Sequence, residues 1–290
     1  MLKIALPSGS LEKETLELFK SADLEVKRSD REYASRIDDP RIGKVSLLKA
    51  QEIPKFVEYG YFDIGITGLD WITERGADVA EIAEFNYSKR GEGKVKIVLA
   101  GSADEKINSP EKIKDGSRIA TEYINITKKY FEKLGIKVKI FHSYGATEAK
   151  VPEMADYVVD LTETGETLKK NNLKIIDTIL ESSTKFIANK ESIKDKKKKK
   201  EIEEIKTLLL GVIEARGKVL LTMNVQKSNL KSVIEILPAM KKPTVSRLYN
   251  SNYYAVETVV NKTEVNRLIP KLKERGAEDI LEMNITKIVK

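Results

Sequence analysis

Apolar positions along this chain fall into short continuous runs, separated by longer stretches in which they recur every three or four residues, which predicts strands alternating with helices. The first pair is LKIAL (2–6), closed by Pro7, Ser8 and Gly9, then LEKETLELFKSADL, which sets Leu11, Leu16, Leu18 and Phe19 broadly on one helical face. IPKFVEYG reads as a helix stopped by Gly60, and FDIGITGLDWI as a buried strand that delivers a glycine-containing turn to another helix. A second series opens with KVKIVLAGS (94–102). It continues through SRIATEY (117–123), the helix ITKKYFEKLG, the strand KVKIFHS and the strand and turn MADYVVDLTETG. KIIDTILESSTKFIANK reads as two strands around a short connection that returns the chain to the first half.

Repeated strand–helix alternation predicts an α/β architecture with a mostly parallel sheet in each of two lobes around a cleft. Lobe I is expected in 1–92 and 180–208, and lobe II in 93–179. From about Gly211 the texture changes. KVLLTMNV, LKSVIEILPAM, YYAVETVVN, VNRLIPKLKERG and DILEMNITKIV read as strand, helix, strand, helix and strand, the order of a compact ferredoxin-like α+β module over 209–290. The amphipathic, charged stretch 201–216 is the expected bridge into it.

At 290 residues the chain exceeds what one core usually holds, and 41% hydrophobic with 33% charged residues describes packed cores under a solvated surface. No apolar run reaches the roughly 18 to 20 residues that span a bilayer, and MLKIALPSGS reads as a first strand and turn, not a secretion signal. A cytoplasmic protein without a membrane partner is expected. Cysteine is absent, which removes disulfides, thiolate metal sites and cysteine nucleophiles. The single histidine, His142, follows KVKIF where a strand would end, and cannot build a multi-histidine metal site. The formal net charge of +7 owes much to one run, KDKKKKK (194–200), which leads straight into the helical pattern EIEEIKTLLLGVIEAR. That run reads as a solvated loop and helix entry. No aromatic platforms, zinc ligands or recognition helix accompany it, so no nucleic-acid partner is expected.

The most informative stretch is DYVVDLTETGETLKKNN, Asp156 to Asn172, where an apolar strand ends at Asp160 and a Thr/Gly-rich turn enters a helix beginning near Thr167. Such a turn suits phosphate: Thr162, Thr164 and Thr167 can donate to its oxygens, Gly165 admits close backbone approach, and the helix start offers unpaired amides. Asp160 can bind ribose hydroxyls directly or through Mg²⁺, a hard ion that takes carboxylates alongside substrate phosphates. Glu163 and Glu166 can simply complement the helix dipole, and the whole pattern also fits a well-capped helix start.

DLTETGETL resembles the phosphoribosyl pyrophosphate (PRPP) loop of the ATP phosphoribosyltransferases, and other landmarks of that family follow in order. IALPSGSL (4–11) is similar to its N-terminal strand and glycine turn. LLKAQEIPKFVEYGYFDIGITGLDWI (47–72) is similar to its Ile-Pro stretch and D-x-G-I-T-G turn. RIATEY (118–123) is similar to the segment that opens the second-lobe phosphoribosyl site, and GATEAKVPEMADYVVDL (145–161) to the family's G-x-x-E element. AMKKPTVSRL (239–248) and ERGAEDILEMNITKI (274–288) resemble the regulatory domain of the long form, so the likeness runs essentially end to end. One departure is Ser10, where many relatives carry arginine or lysine. The serine can instead cap the helix opening at Leu11, with Lys49, Lys89 or Arg90 supplying positive charge.

The resemblance implies a two-lobed, periplasmic-binding-protein-like catalytic part and a C-terminal ferredoxin-like (ACT-like) domain. It implies attack of adenine N1 of ATP on the anomeric carbon of PRPP, giving phosphoribosyl-ATP and pyrophosphate in the first step of histidine biosynthesis. PRPP would lie on Asp160, Thr162, Glu163, Thr164, Gly165, Glu166, Thr167 and Leu168. ATP would lie on Ser8, Gly9, Ser10, Lys49, Thr67 and Asp70, the last also readable as the cap of the following helix. Asp160, Glu148 and Lys49 are the catalytic candidates; Glu148 and Asp160 would hold Mg²⁺, while Glu148 also reads as a plain surface carboxylate. L-histidine is the implied feedback inhibitor, with Asn224, Leu237, Thr244 and Ala277 as contact candidates that each have an equally simple packing or turn reading. A homo-oligomer, from dimer to hexamer, is also implied. A two-lobed amino-acid or solute-binding protein is the alternative that two lobes alone leave open.

Overall fold

The computed structural model describes residues 1–29, 32–85, 94–238 and 242–290. Lys89 and Arg90, and Ala239 to Lys241 of the regulatory motif, therefore lie outside the described residues. The chain divides into two compact units, Met1–Lys206 and Thr207–Lys290.

The first unit opens with β1 (Leu2–Ser8), α1 (Glu12–Ser21), β2 (Val26–Ser29), β3 (Glu32–Ile37) and β4 (Ile42–Lys49). Next come α2 (Ile53–Glu58), β5 (Ile64–Gly68), α3 (Leu69–Arg75) and β6 (Ala80–Phe85). A second lobe holds β7 (Lys94–Ser102), β8 (Arg118–Thr121), α4 (Ile124–Leu134), β9 (Lys139–His142), β10 (Tyr157–Thr162) and α5 (Glu166–Lys170). β11 (Leu173–Ala188) then runs back to the first lobe, and α6 (Lys196–Ala215) follows.

The two-lobed α/β expectation holds, with one correction that matters for the site. The stretch read as two strands around a connection is one continuous strand, β11. Its first part, Leu173 to Ser183, pairs with β7; its last part, Thr184 to Ala188, pairs with β5 and β6. The strand order is accordingly β2-β3-β4-β1-β5-β11-β7-β10-β8-β9, with β6 on β11. The sheets are also less parallel than the alternation suggests. β1, β4 and β5 pair in parallel, as do β8, β9 and β10, but every β11 pairing and the β7–β10 pairing are antiparallel. The cause is connectivity: β7 carries the chain into the second lobe and β11 carries it out, so the two run in opposite directions.

The core strands bury continuous apolar runs between the covering helices. Leu2, Ile4, Ala5 and Leu6 of β1 and Ile64 and Ile66 of β5 are fully buried. From α1 the buried residues are Thr15, Leu18 and Phe19, with Leu11 and Leu16 half-buried at the margin. The lysine run is not merely solvated. α6 begins inside it, Asp195 Oδ1 accepts the amides of Lys197 and Lys198 at 2.9 Å, and Lys198 Nζ pairs with the buried Asp63 at 2.7 Å. Asp63 also accepts from the Lys3 amide (2.7 Å) and the Ser192 hydroxyl (2.6 Å), so its carboxyl stays below the usual range despite burial.

The second unit is β12 (Lys218–Gln226), α7 (Leu230–Ile234), β13 (Thr244–Arg247), β14 (Tyr253–Asn261), α8 (Lys262–Glu274) and β15 (Ala277–Asn284). Its antiparallel sheet runs β13-β14-β12-β15, the ferredoxin-like arrangement. Val219, Leu221, Met223 and Val225 alternate inward from β12 onto the core. β13 was not expected, since its residues are all exposed and TVSR carries no alternation to read.

Gly65 tests the packing of α2 on β5. A Cβ there would stand 2.6 Å from Ile53 Cγ2 and 3.0 Å from Val57 Cγ2, both on fully buried residues. Gly65→Ala should lower stability by about 1–3 kcal/mol in urea unfolding. An unchanged midpoint would mean that α2 shifts without cost.

Candidate active site

The carboxyl ends of β5 and β10 and the middle of β11 converge on a cavity of about 380 Å³ within the first unit. Ser182, Ser183 and Thr184 of β11, all buried, form part of its wall at the point where the strand leaves β7 and joins β5. Opposite them, β10 ends in the turn that the sequence marks for phosphate. Gly165 sits at φ +77°, a left-handed conformation natural to glycine. Its amide donates to Thr162 Oγ1 at 2.8 Å, and the Glu166 amide donates to Thr164 Oγ1 at 3.4 Å. Hydroxyls that accept from amides in this way keep their own protons to donate to a ligand. The helix that follows is one turn long, Glu166–Lys170, and starts a residue earlier than expected.

Asp160 lies at the mouth of this turn, its Oδ1 accepting the Leu161 amide at 2.7 Å. Burial pushes its carboxyl up to about 6; the negative charges of Glu148 and Glu122 add to the rise, and the Leu161 amide and Lys150 oppose it. Lys150 itself is hydrogen-bonded to Ser143, whose hydroxyl also meets Thr147 Oγ1 at 2.8 Å, which holds the short segment carrying Glu148.

On the first-lobe side, Asp70 is almost fully buried at the start of α3. Its Oδ1 accepts from Ser182 Oγ at 2.6 Å and its Oδ2 from Tyr123 Oη at 3.1 Å, while its own amide donates back to Ser182 Oγ at 3.0 Å. Burial raises the Asp70 carboxyl against these hydrogen bonds, and the Tyr123 phenol is raised well above its usual value by burial and by Asp70. Gly68 is required here, since a Cβ would stand 2.0 Å from Asp70 Oδ1.

Of the residues marked in the sequence, Ser10, Asp70, Glu148, Asp160, Thr162, Glu163, Thr164, Glu166, Thr167 and Leu168 line this one cavity, with Gly165 shaping the turn. Others are placed differently. Thr67 is fully buried and donates to the Ala50 carbonyl at 2.8 Å, so its hydroxyl is spent inside the fold. Ser8 and Lys49 face each other in register at the ends of β1 and β4, outside the lining. The Gly9 amide is taken by Glu12 Oε2 at 3.1 Å. Ser10 does not cap α1: the residue at that position is Leu11, without a side-chain bond, which leaves Ser10 on the cavity wall. In the second unit Asn224 Nδ2 donates to Asp279 Oδ2 at 2.9 Å, Ala277 and Leu237 pack on the core, and Thr244 is exposed two strands away on β13. The Ser182–Thr184 hydroxyls and Trp71 were missed. The signal for the first was available: three small polar residues inside a run otherwise patterned as strand.

A family profile described as ATP phosphoribosyltransferase matches residues 49–211, and one described as HisG, C-terminal domain, matches residues 215–287. The chain belongs to the ATP phosphoribosyltransferase family. The ATP phosphoribosyltransferase of Thermodesulfovibrio yellowstonii is 47% identical over 289 residues, covering 100% of this chain and 98% of that protein. That of Pelotomaculum thermopropionicum is 44% identical over 288 residues, covering 99% of each. Among solved structures, the ATP phosphoribosyl transferase (HisG:HisZ) complex from Thermotoga maritima aligns with a TM-score of 0.63 at 29% identity, over 74% of this chain and 99% of the matched one. Membership makes the chain a pentosyltransferase: it transfers the phosphoribosyl group of PRPP to ATP, releasing pyrophosphate, at the first step of histidine biosynthesis. The solute-binding alternative gives way to this.

The raised Asp160 carboxyl has a measurable consequence. A carboxyl raised in the fold favours folding below its unfolded value, near 3.8, and that contribution is lost as pH rises through about 6. Asp160→Asn should therefore raise the thermal midpoint at pH 7, by an amount worth about 3 kcal/mol at most, and leave it nearly unchanged at about pH 3. Equal shifts at both pH values would contradict the electrostatic cause.

Proposed function

We propose that the turn from Asp160 to Leu168 binds PRPP, and that the facing wall, with Ser10, Asp70 and Trp71, takes ATP. The observation that carries this reading is the turn itself: three threonine hydroxyls and a left-handed glycine placed beside a half-buried carboxylate on one cavity. The 5′-phosphate accepts from Thr162, Thr164 and Thr167, and the ribose hydroxyls donate to Asp160. Holding the two substrates on opposite walls supplies alignment of adenine N1 with the anomeric carbon, which is much of what a displacement without an enzyme nucleophile needs. Charge developing on the ribose ring as pyrophosphate leaves is stabilised by Asp160 and Glu148.

Electrostatics favour a magnesium ion in this reading. The described lining carries five carboxylates, from Asp70, Glu148, Asp160, Glu163 and Glu166, and neither lysine nor arginine. Two polyanionic substrates cannot settle there without cations, and the negative neighbours that raise Asp160 fit the same need. Asp160 and Glu148 would hold the ion, with phosphate oxygens and water completing its shell. When bound, it would neutralise the pyrophosphate leaving group. Lys49, beside Ser8 at the end of the first-lobe sheet, is proposed to meet the outer phosphates once substrate is in place.

The C-terminal unit is proposed to sense L-histidine, with Asn224, Thr244, Leu237 and Ala277 as the family-matched positions, and the chain to act as a homo-oligomer in the cytoplasm. Asn224 and Thr244 carry the polar groups of that set; Leu237 and Ala277 act through the core they pack on. Among the described residues no helix is long and apolar enough to cross a membrane.

Pyrophosphate release from ATP, PRPP and Mg²⁺ tests the site. Thr164→Ala should raise KM for PRPP by about tenfold, as loss of one hydrogen bond to a charged group would, with folding intact. Asp160→Ala should lower kcat by at least about tenfold. Unchanged kinetics in both would reject the PRPP assignment. Separately, titration calorimetry of the intact chain should show heat on adding L-histidine, and its absence would reject the regulatory reading.

A further inference from the structure

The first turn of α4, Ile124 to Thr127, contains no acidic residue, and the residue before the helix, Tyr123, makes no side-chain cap. The cap comes from the other lobe. Glu74 of α3 is buried, and its two carboxylate oxygens accept the amides of Asn125 and Ile126, each at 2.9 Å. Asn125 Nδ2 returns a bond to the Glu74 carbonyl at 2.9 Å. One carboxylate thus satisfies two orphan amides at the positive end of a helix 11 residues long, across the divide between the lobes. The same helix α3 makes two more contacts one turn earlier. Trp71 stacks on Tyr123 with ring centroids 4.7 Å apart, and Asp70 accepts from the Tyr123 hydroxyl.

We propose that Glu74 is a positioning residue for the phosphoribosyl transfer: by capping α4 in trans it fixes the Thr121–Ile124 corner of the second lobe against α3 of the first. That corner matters to the chemistry in two ways. Glu122, whose charge acts on Asp160, rides on it, and so does Tyr123, which is bonded through Asp70 to Ser182 and stacked on Trp71 in the cavity wall. Glu74 does not line that cavity; it lines a neighbouring one, together with Trp71 and Glu122. Its effect passes through the corner, setting the separation of a second-lobe phosphate turn from a first-lobe nucleotide wall. Small misplacements of that kind cost far more in turnover than in binding of a ligand held by one lobe.

The prediction, which rests on the PRPP reading above, is a split between binding and turnover. In Glu74→Ala the amides of Asn125 and Ile126 should lose protection from hydrogen exchange, and kcat should fall about ten- to a hundredfold, while PRPP binding measured with Mg²⁺ but without ATP stays within about twofold. Glu74→Gln, which keeps one acceptor oxygen and guards against a variant that fails to fold, should fall between wild type and alanine in both exchange and kcat. Faster exchange with unchanged kcat would reduce Glu74 to a helix cap and overturn the proposal. An equal loss of PRPP binding and kcat would overturn it too, as general damage to the second lobe. If the wild-type chain itself failed to bind PRPP, the phosphate-turn assignment would fall, while exchange and kcat would still decide the role of Glu74.

Discussion

A single strand shared by two sheets governs this molecule. β11 is 16 residues long, about 50 Å when extended, and hydrogen-bonds to β7 along one part and to β5 and β6 along the other. Because β11 pairs with β7 up to Ser183 and with β5 and β6 from Thr184, the handover at Ser182 to Thr184 is tied by ladder hydrogen bonds to both lobes. The ends of β5 and β10 then open onto that stretch from opposite sides. Asp70 ties the handover to both lobes through Ser182 and Tyr123.

This scaffold gives the site an unusual charge balance. The protein as a whole is basic, at +7, yet the charged groups of the described cavity lining are all carboxylates. Global charge draws polyanions in, while the local surplus of negative charge makes their settling conditional on a cation. Asp160 expresses the conflict most clearly: burial and two acidic neighbours lift it to about 6, and a bound cation would reverse that pressure. Hydroxyls from Thr162, Thr164 and Thr167 on the lining offer directionality at no cost in charge.

Much of the fold was legible because its signals are local. Apolar runs such as LKIAL and DIGIT, each closed by glycine, describe buried strands leading to helices, and the Thr/Gly turn after Asp160 carries its chemistry in adjacent residues. What escaped was non-local. Nothing in KIIDTILESSTKFIANK says that its halves belong to different sheets, so it read as two strands. The fate of Thr67, whose hydroxyl donates to the Ala50 carbonyl, depends on a backbone group that approaches only when folded. Ser10 lost its expected capping role because α1 starts one residue later than expected, at Glu12, which puts Leu11 at the cap. Asp63 and Lys198, 135 positions apart, could not be paired from sequence, and so the lysine run looked merely solvated.

The central claim is that the hydroxyls and backbone between Asp160 and Leu168 receive the phosphoribosyl donor. A crystal structure of the chain grown with PRPP and Mg²⁺ tests it most directly. The account predicts the 5′-phosphate within hydrogen-bond distance of Thr162, Thr164 or Thr167, with the ribose against Asp160. Donor density elsewhere in the cavity, with this turn unchanged and vacant, would contradict it.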